Sequence, residues 1–185
     1  RLIRNEYRYD ADFYGSPEEL ALRVAYFFHS MLQGVATNAN ATITLQRLAT
    51  GGLRQGLLDD AQPFTLKQLI HHMQKDDPAL RLADVIVPDL VALSFQCQVR
   101  KPSETLYAIS AEQFRRAGLE PQQVLYVTNR LHDDLAVAKR HGFRTALYAG
   151  DAQSCRVEAA DLRNRELKPD RLLTDLGQVT TIVGV

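Results

Sequence analysis

The stretch from Val124 to Tyr148 constrains the fold more than any other part of the chain, because it reads as one unbroken strand–loop–helix–strand unit. Val124–Val127 is a short apolar run. Leu131, Leu135 and Ala138 recur at helical spacing, Gly142 stands where a helix C-terminus favours a positive φ, and Thr145–Tyr148 is a second apolar run. Two strands joined through a helix of this size are normally parallel neighbours with a right-handed crossover. The polar loop Thr128–Asp134 then leaves the carboxyl end of a parallel strand, where open α/β sheets place their ligand sites.

The preceding chain alternates in the same way. Ser16, Pro17 and Glu19 make a capping box with proline at the first helical position, and Leu20, Val24, Phe27, Phe28 and Met31 then mark one apolar face up to Gly34. Ile43, Leu45 and Leu48 predict a second helix closing at Gly51 and Gly52. Leu53–Leu58 reads as a strand, Phe64–Met73 as a helix, Asp84–Val87 as another strand, and Ser103 to Gly118 as a helix, with Val91–Val99 unassigned. A short strand at Leu172–Leu173 and a helical turn near Val179–Val183 close the chain. Such alternation predicts an α/β fold, a mainly parallel sheet with helices on both faces.

Composition excludes several function classes. The 185 residues are 45% hydrophobic and 24% charged, an ordinary globular balance, and 22 basic residues offset 22 acidic ones. Net charge therefore gives no reason to expect nucleic acid or an anionic membrane as a partner, and no apolar run is long enough to span a bilayer. Cys97 and Cys155 are too few for a disulfide framework and lack metal-ligand spacing, which points to a reducing, cytoplasmic setting. Oligomeric state is not set by any of these features.

The order of elements and loops over Thr42–Val185 resembles the haloacid-dehalogenase-like (HAD) hydrolase superfamily. Three places carry the resemblance: the strand and loop Leu53–Asp60, similar to the motif whose hydroxyl holds a substrate phosphate; Arg100–Pro102, similar to the lysine motif; and Tyr126–Asp134 with the helix and strand after it, similar to the acidic loop that binds Mg²⁺. The resemblance implies a HAD-like Rossmannoid three-layer sandwich formed by residues 42–185, with residues 1–41 as the later part of a helical cap. It also implies a phosphatase-type hydrolase acting on a small phosphorylated molecule with Mg²⁺. Within it Lys101 balances the charge of nucleophile and phosphate, while Asp134, Asn129 and the adjacent Asp133 take the metal-binding positions.

Three departures from the family pattern matter chemically. Asp10 and Asp12 have the spacing of the family's nucleophile pair, but the residues before them do not suit a central parallel strand, which is buried on both faces. The nucleophilic aspartate is therefore expected upstream of residue 1, or at Asp10, or lost. Asp59 stands where a phosphate-binding hydroxyl belongs, and an ionised carboxylate there repels a phosphoryl oxygen. Asn129 replaces the first metal-binding acid and brings no charge to a Mg²⁺ site. Structural readings stand beside the functional ones: Asp59 as a helix N-cap with Asp60 solvated, and Asp133 and Asp134 as first-turn acids complementing Lys139, Arg140 and His141 at the other helix end. The sequence thus supports a hydrolase relative with impaired motifs, an active Mg²⁺-dependent phosphohydrolase, or a non-catalytic ligand- or partner-binding module.

Overall fold

The computed structural model describes residues 9–32, 37–150, 155, 157–158 and 160–185. In chain order the helices are α1 (Ala11–Tyr14), α2 (Pro17–Leu32) and α3 (Ala41–Thr50). Strand β1 (Leu57–Asp59), α4 (Thr65–Met73), α5 (Leu82–Val85), β2 (Val91–Leu93), α6 (Ser94–Cys97) and α7 (Glu104–Arg116) follow. The second half holds β3 (Leu125–Thr128), a π-helical turn (Leu131–Leu135) running into α8 (Ala136–Arg140), β4 (Arg144–Tyr148), β5 (Arg171–Leu173) and α9 (Gln178–Val183).

Among the described residues all strand pairing is parallel. β1 pairs with β2, with Leu58 opposite Ala92; β3 pairs with β4, with Val127 opposite Ala146; and β4 pairs with β5, with Leu147 opposite Leu172. The Val124–Tyr148 unit forms as its pattern predicts, and Gly142 ends its helix at φ 86°. Among the described residues β1 and β3 share no ladder, so the strands form two separate sheets. This is the arrangement expected if one strand position lies between them.

Helices tie the two sheets together on both faces. On one side Leu58 of β1 and Tyr126 of β3 both pack against a core of Leu90, Tyr107, Ala111, Phe114, Val137, Ala138 and Phe143. On the other, α3 sends Leu48 into the core of Ala146, Tyr148, Leu173 and Val179, while its Leu45 and Ala49 join Leu57 around Met73, Val85 and Ile86.

One predicted strand is a helix. Asp84–Val87 belongs to α5 and the turn after it, because the Asp84 carboxylate accepts the Arg81 backbone N–H at 2.9 Å and the Arg81 guanidinium at 2.7 Å, capping a helical turn. The strand lies instead at Val91–Leu93, after a 3₁₀ turn beginning at Pro88. The first strand also starts later than Leu53, at Leu57. There the backbone passes so close to its neighbour that a Cβ on Gly56 would sit 2.4 Å from the Leu90 carbonyl oxygen.

The capping box of α2 is formed in both directions, with Glu19 N–H donating to Ser16 Oγ at 3.1 Å and Ser16 N–H to Glu19 Oε2 at 2.9 Å. The expected end at Gln33–Gly34 lies outside the described residues. Tyr26 and His29 rest on Phe64, with ring centroids 5.6 and 5.4 Å apart. The apolar face marked by Val24, Phe27, Phe28 and Met31 is turned to solvent.

Candidate active site

The carboxyl ends of β1 and β3 are bridged by side chains rather than by backbone. Lys101, in the loop before α7, is almost wholly buried and places its Nζ 2.6 Å from Asp59 Oδ1 at the end of β1 and 2.9 Å from Asp134 Oδ2. Asp134 is 1% exposed, in the π-helical turn. Its Oδ2 also accepts Thr128 Oγ1 at 2.8 Å and the Tyr126 hydroxyl at 3.2 Å, both from β3. Its Oδ1 is buried and accepts no hydrogen bond from the described residues. The Lys101 loop is held by Asp60, whose Oδ1 accepts the Lys101 backbone N–H at 2.9 Å.

The charges act on one another. Burial pulls the Lys101 pKa down, but hydrogen bonding and charge from Asp59, followed by Asp134, outweigh it and hold the ammonium above its ordinary value. Burial, with the Asp134 charge second, raises both the Tyr107 and Tyr126 phenols far above the usual tyrosine range, so both stay protonated. With one ammonium against two carboxylates, the centre is filled by its own countercharges.

The remaining sequence candidates divide. Asn129 follows β3 but makes no side-chain hydrogen bond to a described residue, and Asp133 points outward into an exposed pair with Arg130 at 3.1 Å. Asp10 does not end a strand: it is an exposed N-cap of α1, its Oδ1 accepting the N–H groups of Asp12 and Phe13. Asp59 caps no helix, since α4 begins only at Thr65, and Asp60 is not merely solvated. Thr128, Tyr126 and Asp60 were not legible as site residues. Thr128 and Tyr126 lie in an apolar strand, and only the alternation of the strand could have aimed both at the Asp134 loop.

Mg²⁺ does not fit these residues as they stand. Among the described residues no three His, Cys, Asp or Glu side chains gather as a metal site. Asp134 offers one uncommitted oxygen, Asn129 adds no charge, and the Lys101 ammonium on the same carboxylate opposes a dication.

A parallel α/β fold with a lysine–carboxylate centre at the strand ends defines the class. Residues 98–179 match the family described as HAD-hydrolase-like. The fold is similar to the putative HAD-hydrolase YfnB from Bacillus subtilis bound to magnesium, at TM-score 0.63 and 14% identity over 100% of this chain and 69% of that one. It is similar to 2-haloacid dehalogenase from Pseudomonas syringae, at 0.61 and 22% over 95% and 64%, and to a HAD phosphatase from Thermococcus onnurineus, at 0.59 and 19% over 80% and 58%. No curated protein matches. The chain has the Rossmann-like fold of these structures, and its residues 98–179 resemble the HAD-hydrolase-like family; it spans 58–69% of the length of these three structures.

Proposed function

We propose that this chain is a phosphatase-type HAD-like hydrolase relative whose substrate site is closed by its own Asp59, leaving it weakly active or inactive towards phosphomonoesters. The observation that carries the reading is the Lys101 ammonium held between Asp59 at 2.6 Å and Asp134 at 2.9 Å. A small phosphorylated molecule would have to displace Asp59 or bind beside it. A unit phosphate charge about 5 Å from the Asp59 carboxylate costs roughly 3 kcal/mol at an effective dielectric of about 20. That is about a hundredfold in affinity. The core of residues 42–185, a cap-like segment before it and a cytoplasmic setting belong to the same proposal.

The separation of β1 from β3 favours a second reading. A further strand seated between them and ending in an aspartate would supply a nucleophile and a metal-binding carboxylate, restoring a Mg²⁺-dependent phosphohydrolase.

Hydrolysis of an aryl phosphate with and without Mg²⁺ tests both, comparing the chain with the double variant Asp59→Ser, Asn129→Asp. The first reading expects no turnover by the unmodified chain and tighter Mg²⁺ binding by the variant. Mg²⁺-dependent turnover by the unmodified chain overturns it. Turnover abolished by Asp10→Asn would make Asp10 the nucleophile.

A further inference from the structure

Helices α3 and α9 pack side by side over β4 and β5, and a groove runs between them, apart from the Lys101 centre. Two concavities make up the groove, of about 460 and 620 Å³. Both are lined by Ile43, Arg47 and Thr180, so they adjoin with Arg47 at the junction. Each is of the size of a small-ligand site. One end is polar, bounded by Asn40, Thr44, Asp175 and Thr181, and the other is lined by Ile43, Thr50, Gly51 and Val185. Ile43 is 48% exposed and Val185 47%, which leaves apolar surface at that second end.

The polar side chains of the groove divide into committed and uncommitted groups. Asp175 is committed, its Oδ1 accepting the Gly177 N–H at 2.7 Å and its Oδ2 the Asn40 side-chain amide at 2.8 Å. Gln178 Oε1 accepts the Thr174 N–H at 2.9 Å, Gln46 donates to Asp77 at 2.7 Å, and the Thr180 hydroxyl donates to the Gly177 carbonyl at 2.8 Å. Arg47, Thr44 and Thr181 are uncommitted: none of these side chains makes a hydrogen bond or ion pair with a described residue. Thr44 is 5% exposed, and a threonine hydroxyl inside a helix commonly returns to the carbonyl four residues back. Here the Asn40 carbonyl takes the Thr44 N–H at 2.9 Å and not the hydroxyl. The Thr44 oxygen is not sealed in the core as the Tyr107 oxygen is, so it opens onto the groove, one turn of α3 before Arg47.

We propose that this groove binds a small organic carboxylate, its anionic group on Arg47 and Thr44 and its apolar body along Ile43 towards Val185. The uncommitted groups at the polar end are one cation and two hydroxyls, with no free carboxylate, which selects an anion. The guanidinium is a planar fork that matches a carboxylate. Asp175 in the same wall selects a monoanion, because its repulsion of a dianionic phosphate is twice its repulsion of a carboxylate at the same place. The apolar end selects an organic body over a bare ion. Ile43 and Arg47 stand about one turn apart, so a molecule of about ten non-hydrogen atoms reaches both. In an open groove such a molecule is held with a Kd on the order of 1 mM.

An amide chemical-shift titration of the full chain by NMR tests this, with sodium phenylacetate as the probe, taken to about twenty times that Kd at constant ionic strength. Benzyl alcohol and inorganic phosphate are the comparators. Phenylacetate should shift the Thr44, Arg47 and Thr180 amides saturably, and the neutral alcohol and phosphate should each bind at least about fivefold more weakly. Arg47→Gln should weaken phenylacetate binding about tenfold, and Thr44→Val, which keeps the shape and removes the hydroxyl, about threefold. Both variants should keep the parent Tm, since neither side chain has a partner to lose. No saturable shift, an affinity unchanged in both variants, phosphate or benzyl alcohol binding as tightly as phenylacetate, or shifts centred on Asp59 and Lys101 instead would each overturn the proposal.

Discussion

Lys101→Met removes the only ammonium that reaches Asp134 among the described residues, and the structure sets the size of the effect. Asp134 is 1% exposed, and without Lys101 its carboxylate keeps only the Thr128 and Tyr126 hydroxyls, both on the oxygen that is already hydrogen-bonded. Removing one partner of a buried pair costs about 3–5 kcal/mol, because the remaining charge is left desolvated and uncompensated. The second pair contributes little by comparison: the Asp59 side chain is 60% exposed, and such pairs are worth about 1 kcal/mol or less. We expect Lys101→Met to lose about 3 kcal/mol and Asp59→Ser under about 1 kcal/mol. For a chain of this size that is a fall in Tm of roughly 6–12 °C against one of a few degrees. The pH dependence has a defined sign. The Lys101 pKa is raised on folding, so its contribution is complete below the unfolded value of about 10.5 and is lost as pH rises through the folded value. Lys101→Met should lack that alkaline loss. Urea unfolding followed by circular dichroism across pH 7–11 measures all three quantities. A Lys101→Met chain within 1 kcal/mol of the parent, or an equal loss from Asp59→Ser, would refute a site organised around buried Asp134.

Asp170 grips the start of β4, its Oδ2 accepting the Thr145 N–H at 2.8 Å and hydroxyl at 3.0 Å. Burial pushes its pKa up, but the Thr145 hydrogen bonds outweigh this and leave it lowered. Its contribution is therefore present above the unfolded carboxylate range near 4 and lost as pH falls through the folded value. Asp170→Asn should destabilise the chain by about 1 kcal/mol at neutral pH and flatten the acid limb of a stability–pH curve. Tyr126→Phe removes one donor to Asp134 and should cost about 1 kcal/mol. In the parent, absorbance titration should find the Tyr107 and Tyr126 phenols still protonated after exposed tyrosines have ionised. Leu135→Ala, at a fully buried position in the π-helical turn, should cost about 2–5 kcal/mol by thermal unfolding.

How much of this was written in the sequence depends on whether the signal was local. The Val124–Tyr148 unit, the Ser16 capping box and the helix ends at Gly52 and Gly142 follow from apolar period and φ preference over a few residues, and the structure forms them where the pattern places them. Asp84–Val87 failed because four apolar and polar residues fit either a helical turn or a strand, and the Arg81–Asp84 contact that decides between them is not visible in a period. Parallel strand ends explain why Lys101 and the acids at Asp59 and Asp134 meet although they are scattered along the chain.

By itself, then, the sequence determined the α/β class, the parallel β3–β4 pair and the helices around it, because each rests on hydrogen bonds and burial within one short segment. The tertiary structure alone decided that Lys101 binds both acids at once, that Asp133 turns outward while Asp134 turns in, and that β1 and β3 do not pair. Those outcomes depend on how buried charge is compensated across segments distant in sequence. The same is true of α2. Its stripe was legible as apolar, but whether an apolar face meets the core or the solvent is settled only by which side of the helix Phe64 already holds.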